Sequence, residues 1–189
     1  SQSEAPHGLN VSSTHLEVGH MNAKAHWEHI YAHKAPTQVS WYQEHAQLSL
    51  DLIHRAGVQK DDPIIDVGGG ASTLVDDLLA AGFQQITVLD IAAKALEFAR
   101  ERLGARAAQV TWIETDVTQA ALPAQAYALW HDRAVFHFLT QPTDRQRYIE
   151  NARRAVRSGG SLILATFAQD GPERCSGLEV TRYVERKRR

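Results

Sequence analysis

The sequence is short of several things, and each shortage narrows what the protein can be. Its 189 residues include one cysteine and one methionine. A single cysteine excludes an internal disulfide framework and points to a reducing, cytoplasmic compartment. No apolar run approaches the roughly 18 residues that span a bilayer, and the opening residues lack the apolar stretch of a signal peptide. Neither sign of charge dominates, since 20 basic and 22 acidic residues leave a formal net charge of −2. That balance excludes nucleic-acid binding by bulk charge. Glycine and proline, at 12 and 6, are too sparse for a collagen-like or low-complexity chain. His26, His29 and His33 lie three and four apart on one predicted helix, but no cysteine or carboxylate set joins them. A solvated face is the reading there, and no metal is expected.

What is present suits one compact α/β domain, with 43% hydrophobic and 22% charged residues. Met21, the only methionine, stands where periodic sequence begins. Residues 1–20 are therefore read as a leader or disordered arm, either appended or natural. Residues 21–189 form the single domain, with amino-terminal helices over 22–56.

Ala23, Trp27, Ile30 and Tyr31 recur at helical spacing in the first of these helices, which Pro36 ends. Ala46, Leu50 and Ile53 mark the second, over about 43–56, and Gly57 stops it. The period then changes. Apolar runs at 63–67, 86–89, 110–113, 127–130 and 161–166 predict five strands. Helices are predicted between them at about 72–81, 92–103 and 143–156. Alternating strands and helices with short connections predict a mainly parallel, doubly wound sheet with helices on both faces and a cleft at the strands' carboxyl ends.

Polar groups gather at those ends. The turn Asp66-Val67-Gly68-Gly69-Gly70-Ala71-Ser72 lets a ligand approach the backbone closely, and Ser72 can cap the next helix. About twenty residues later Asp90 closes the second strand, where a carboxylate accepts the two hydroxyls of a ribose. Together they describe a nucleoside-shaped ligand. A dinucleotide dehydrogenase would want Gly-x-Gly-x-x-Gly, whose last glycine is missing here. Asp66, Asp90 and Asp116 could each be an ordinary turn cap, but three at successive strand ends after a glycine turn favour ligand binding. His131 and Asp132 follow the fourth strand, and capping and substrate contact weigh about equally there.

From about Ala25 to Gly177 the chain resembles the class I S-adenosylmethionine-dependent methyltransferases, and 66–72 matches their acidic-x-Gly-x-Gly-x-Gly motif with Ser72 in the last glycine's place. The resemblance implies a Rossmann-like sheet and S-adenosyl-L-methionine as cofactor, leaving S-adenosyl-L-homocysteine as product. By the same resemblance Gly68, Gly69, Gly70 and Ser72 form the cofactor turn, with Gly68 and Gly70 at the methionine end. Asp66 would hold the cofactor's amino group, Asp90 its ribose, Ile91 would flank the adenine, and Asp116-Val117 would take the adenine amino group. The segment 130–139, Trp-His-Asp-Arg-Ala-Val-Phe-His-Phe-Leu, resembles the fourth motif of a small bacterial subgroup and borders the methyl group. Trp41 and Tyr42 read as core or interface aromatics, or, by the resemblance, as part of amino-terminal helices that close over the cofactor near its methionine end. His131, Asp132 and His137 are candidates for a base, and His131 and Asp132 are the catalytic residues expected.

The acceptor expected is a small molecule or a protein, reached by in-line displacement. Nucleic acid is disfavoured because 130–133 lacks an Asn-Pro-Pro-Tyr-like or Pro-Cys segment. About twenty residues follow Ala168, whereas a further helix and two strands need roughly thirty-five, so the sheet is expected to be shortened at its carboxyl end. An edge left by strand five or by a last strand at 178–184 would invite a homodimer. The alternative function is a cofactor-binding module, or a truncated relic, without catalysis.

Overall fold

The computed structural model describes residues 24–29, 31–32, 46–133 and 135–164, together with the backbone of 174–175 and 178–179. The expectations for 1–20, Trp41 and Tyr42 lie outside the described residues, as does the side chain of His137. Residues 24–29 and 31–32 are helical. The elements that follow are α1 (Gln47–Arg55), β1 (Ile64–Val67), α2 (Leu74–Ala80), β2 (Ile86–Asp90), α3 (Ala93–Leu103), β3 (Val110–Glu114), β4 (Tyr127–Asp132), α4 (Pro142–Ala155) and β5 (Val156–Leu164). Among the described residues no helix is long and apolar enough to cross a membrane.

The five strands form one parallel sheet in the order β3-β2-β1-β4-β5. The chain winds outward from β1 through β2 to β3, then returns to lay β4 against the other side of β1. The switch in winding direction therefore falls between β1 and β4, where open α/β sheets bind ligands.

Side chains alternate between the two faces of each strand, and this divides the core into two layers. Ile64, Val88 and Leu129 meet Ile53 of α1, Leu74 and Leu78 of α2 and Leu96 of α3. On the opposite face Ile65, Val67, Leu89 and Trp130 meet Tyr148, Ala152 and Ala155 of α4. Helices thus cover both faces, as the alternating pattern predicts.

Two boundaries differ from the sequence reading. β4 runs on through His131 and Asp132, because these two residues pair with Asp66 and Val67 of β1 rather than turning away. β5 begins at Val156 rather than at 161, so Ser158-Gly159-Gly160 lies within the strand. The register there is broken between Tyr127 and Leu129, and that irregularity absorbs the glycines. Residues 178–179 pair antiparallel with 174–175, apart from the five-stranded sheet. β3 and β5 are its two edge strands among the described residues, and on β5 Leu162 and Leu164 are exposed.

Candidate active site

Strand alternation decides which polar groups meet. Asp66, Asp90 and His131 follow Ile64, Val88 and Leu129 by two residues, so they share the face covered by α1, α2 and α3. Asp132, one residue on, faces α4 instead. His131 and Asp132 are both candidates for a base in the sequence reading, and the sheet sends them to opposite layers.

The glycine turn bends over the first set. Gly68 has φ +72°, a conformation costly for any residue bearing a Cβ, and a methyl there would overlap the side chain of Val135. Gly68→Ala should therefore lower stability by about 1–3 kcal/mol in urea unfolding, from left-handed strain plus overpacking. At Gly69 a Cβ would collide with Asp66 Oδ2. At Gly70 it would come within 2.8 Å of Ala95 and 2.9 Å of Asp90 Oδ2. The bend continues as a 3-10 turn, Gly69–Ala71, before α2. Ser72 supports the start of α2, its Oγ accepting from the Leu74 N–H at 3.0 Å, although the residue in the capping position itself is Thr73.

Asp90 is held at both oxygens. The Gly70 N–H donates to Oδ2 at 3.0 Å and the Ala92 N–H to Oδ1 at 2.9 Å. Burial pushes its carboxyl up to about 6; the two N–H bonds pull it back, and the charges of Asp66 and Glu28 add to the rise. Each oxygen has two lone-pair directions, so both can still accept from a diol.

Asp66 and His131 are adjacent in the β1–β4 register and almost fully buried. His131 Nδ1 lies 2.8 Å from Asp66 Oδ1, and its Nε2 lies 2.8 Å from Ser49 Oγ of α1. Asp66 Oδ2 is buried with no hydrogen-bond partner among the described residues. A buried carboxylate oxygen in that state is costly unless a donor arrives, and this one lies directly against Gly69. Arg133 is partly buried beyond β4; burial lowers its pKa and the nearby Asp66 charge opposes this.

Asp132 is fully buried and accepts from three donors: the Val135 N–H at 2.7 Å, the Phe136 N–H at 3.0 Å and the Tyr148 O–H at 2.5 Å. Tyr148 in turn accepts from Trp130 Nε1–H at 2.9 Å. Burial, reinforced by the Asp132 charge, raises the Tyr148 pKa well above its ordinary value. Asp116 lies past β3, where its Oδ1 accepts from the N–H and hydroxyl of Thr118, and the Val117 side chain is buried in the α4 layer. Ile91 packs half-buried against Ala71, Ala92 and Ala95 beside the turn.

Sequence reasoning missed Ser49 and Glu28. Glu28 Oε1 accepts from the N–H of Ala93, the first residue of α3, fastening the amino-terminal helical residues to the sheet's carboxyl rim. Lys24 pairs with Glu114 at the end of β3, and Trp27 meets Phe138 edge-on at 5.0 Å. Among the described residues no group of three or more His, Cys, Asp or Glu could hold a metal ion. A groove of about 550 Å³ between α4 and β5, lined by Tyr148, Leu162 and Leu164 among others, lies on the opposite layer from Asp66 and Asp90.

A glycine turn over two buried carboxylates at the carboxyl ends of a doubly wound parallel sheet is the place where open α/β proteins bind ligands. Residues 64–160 match the methyltransferase-domain family model, and the chain belongs to that family. The mouse eEF1A lysine and N-terminal methyltransferase is 25% identical over 150 residues, which is 76% of this chain and 21% of that protein. The malonyl-[acyl-carrier protein] O-methyltransferase of a Paenibacillus strain is 29% identical over 128 residues, 65% of this chain and 45% of that one. The chain thus spans about a fifth of the first curated relatives and under half of the second kind. Among solved structures, an S-adenosylmethionine-dependent methyltransferase from Methanosarcina mazei superposes with TM-score 0.57 at 22% identity, covering 63% of this chain and 58% of that chain. The glycopeptide N-methyltransferase MtfA complexed with sinefungin also gives 0.57, at 17% identity, covering 72% of this chain and 60% of that chain. The fold is that of the class I methyltransferases.

Proposed function

We propose that this chain binds S-adenosyl-L-methionine at the β1–β4 switch point and transfers its methyl group to a protein or small-molecule acceptor. The observation that carries the reading is Asp66 Oδ2 beneath Gly69, without a partner among the described residues and on the same face as an Asp90 carboxylate already aimed by the Gly70 N–H. The residues fit the group: Asp66 Oδ2 can accept from an ammonium and Asp90 from the ribose hydroxyls, and only glycines at 69 and 70 let both carboxylates lie against the turn. Ile91 and Asp116 lie at the rim where an adenine would rest. The bound sulfonium supplies an activated methyl group, so the protein's part is alignment and exclusion of water.

His131 has both ring nitrogens engaged and Asp132 is enclosed by three donors. We assign both to positioning: His131 orients Asp66, and Asp132 holds the backbone of Val135 and Phe136, with Val135 packed against Gly68. The named activities of the relatives, lysine and N-terminal methylation of a protein in one and O-methylation of a carrier-bound acid in the other, support an acceptor presented on a protein. The kinship to a small bacterial subgroup rests on the 130–139 segment.

Calorimetry with S-adenosylhomocysteine, followed by labelled-methyl transfer to lysine peptides, protein amino termini and acyl-carrier carboxylates, tests the reading. Saturable binding plus transfer to one class is the expected result. Binding without transfer to any would favour the non-catalytic module, and no binding would end the proposal.

The pH dependence follows from Asp90. Its pKa is raised in the folded state, so between the ordinary carboxylate value of 3.8 and about 6 the native protein binds the extra proton. This group's contribution to stability therefore falls as pH rises through that window. Donated ribose hydroxyls favour the charged form, so binding should release a proton there. Affinity for S-adenosylhomocysteine is expected to rise with pH from about 5 to 6 and then level off. A profile flat from pH 5 to 8 would remove Asp90 from the ribose.

A further inference from the structure

We propose that Ser49 is a positioning residue for the amino-acid end of the cofactor, acting through His131 on Asp66. The inference rests on the reading of Asp66 as the ammonium acceptor and adds the device that holds it in place. A carboxylate only accepts, so the hydrogen between His131 and Asp66 sits on Nδ1. In the neutral ring Nε2 then carries a lone pair, and the Ser49 hydroxyl donates to it. With the ring neutral the donors run one way, Ser49 O–H to Nε2 and then Nδ1–H to Asp66 Oδ1. In a protonated ring Nε2–H would donate to Ser49 Oγ, and the contact would still fix the ring.

Each link is buried, with Ser49 6% exposed and His131 and Asp66 each 2%. Water therefore does not readily replace a lost member, and an orphaned Nε2 would be free to lose its tautomer or its ring orientation. With Oδ1 fixed, the carboxylate group is fixed, and Oδ2 is presented under Gly69 with no donor among the described residues. Ser49 comes from α1, 82 residues before His131. Its neighbours on α1 pack into the helix-covered layer, with Ile53 wholly buried, so the hydroxyl is anchored by the core. Serine inside a helix is ordinarily a mild liability, which a specific buried partner explains.

The experiment compares two ligands that differ only where the proposal acts. S-adenosylhomocysteine carries the ammonium, whereas 5′-methylthioadenosine keeps the nucleoside and lacks the amino-acid end. Ser49→Ala is expected to weaken the first roughly three- to tenfold in calorimetry and to leave the second within about twofold. Ser49→Thr, which keeps the hydroxyl, should restore the first. Ser49→Cys, close to serine in size but a weak donor, serves if the alanine variant does not fold, and should show the same selective loss. Equal losses for both ligands, or none, would overturn the proposal by making Ser49 merely structural or irrelevant. If the unaltered protein binds neither nucleoside, the cofactor reading itself is wrong. If it binds both equally, Asp66 makes no ammonium contact and the proposal falls with it.

Discussion

Asp90→Ala is expected to weaken S-adenosylhomocysteine binding by roughly ten- to a hundredfold, read by calorimetry at pH 7.5. The size follows from losing charge-assisted hydrogen bonds, about 1.5–3 kcal/mol, at a carboxylate whose orientation is already set by the Gly70 and Ala92 N–H groups. Because those groups aim the carboxylate before any ligand arrives, little ordering remains to be done on binding. Stability should respond differently from affinity. The buried carboxylate costs desolvation, yet removing it strands two backbone donors, and the two effects oppose one another. Asp90→Asn retains an oxygen for one of the donors, so it should stay folded while losing most of the affinity. An Asp90→Ala protein that binds as tightly as its parent would show that this strand end holds no ribose.

The second large effect falls on folding. Asp132→Ala should lower unfolding free energy in urea by at least about 3 kcal/mol, because it strands the Val135 and Phe136 N–H groups and the Tyr148 hydroxyl in a buried layer. Tyr148→Phe should cost less, about 1–2 kcal/mol, since it deprives Asp132 of one of its donors and Trp130 Nε1–H of its acceptor. Cofactor affinity in Asp132→Ala should fall only secondarily, through a looser Val135 against Gly68. An unchanged urea midpoint in Asp132→Ala would mean that the cluster carries little of the fold's stability.

The five strands and the winding of the sheet were legible because parallel strands buried on both faces leave short apolar runs punctuated by glycine and aspartate. The glycine turn and Asp90 were legible as a pair, since their separation in the chain is fixed by one strand–helix–strand unit. Contacts distant in sequence were hidden. Ser49 looks like any polar residue of an amphipathic helix, and its meeting with His131 depends on how α1 packs over the sheet. Glu28 likewise carries no local sign that it accepts from the start of α3, 65 residues later. The separate fates of His131 and Asp132 were obscured by a boundary placed two residues early, because a polar pair resembles the end of a strand. Register with β1 keeps both within it and so gives them opposite faces.

That opposition makes β4 intolerant of frame errors. Sliding the strand by one position would bring an aspartate up against Asp66, two acids sharing a dry space, and would turn imidazole toward the phenol of Tyr148. Misregistered chains would thus be penalised in both layers at once. The polar end of this strand acts as a registration mark for assembly of the sheet.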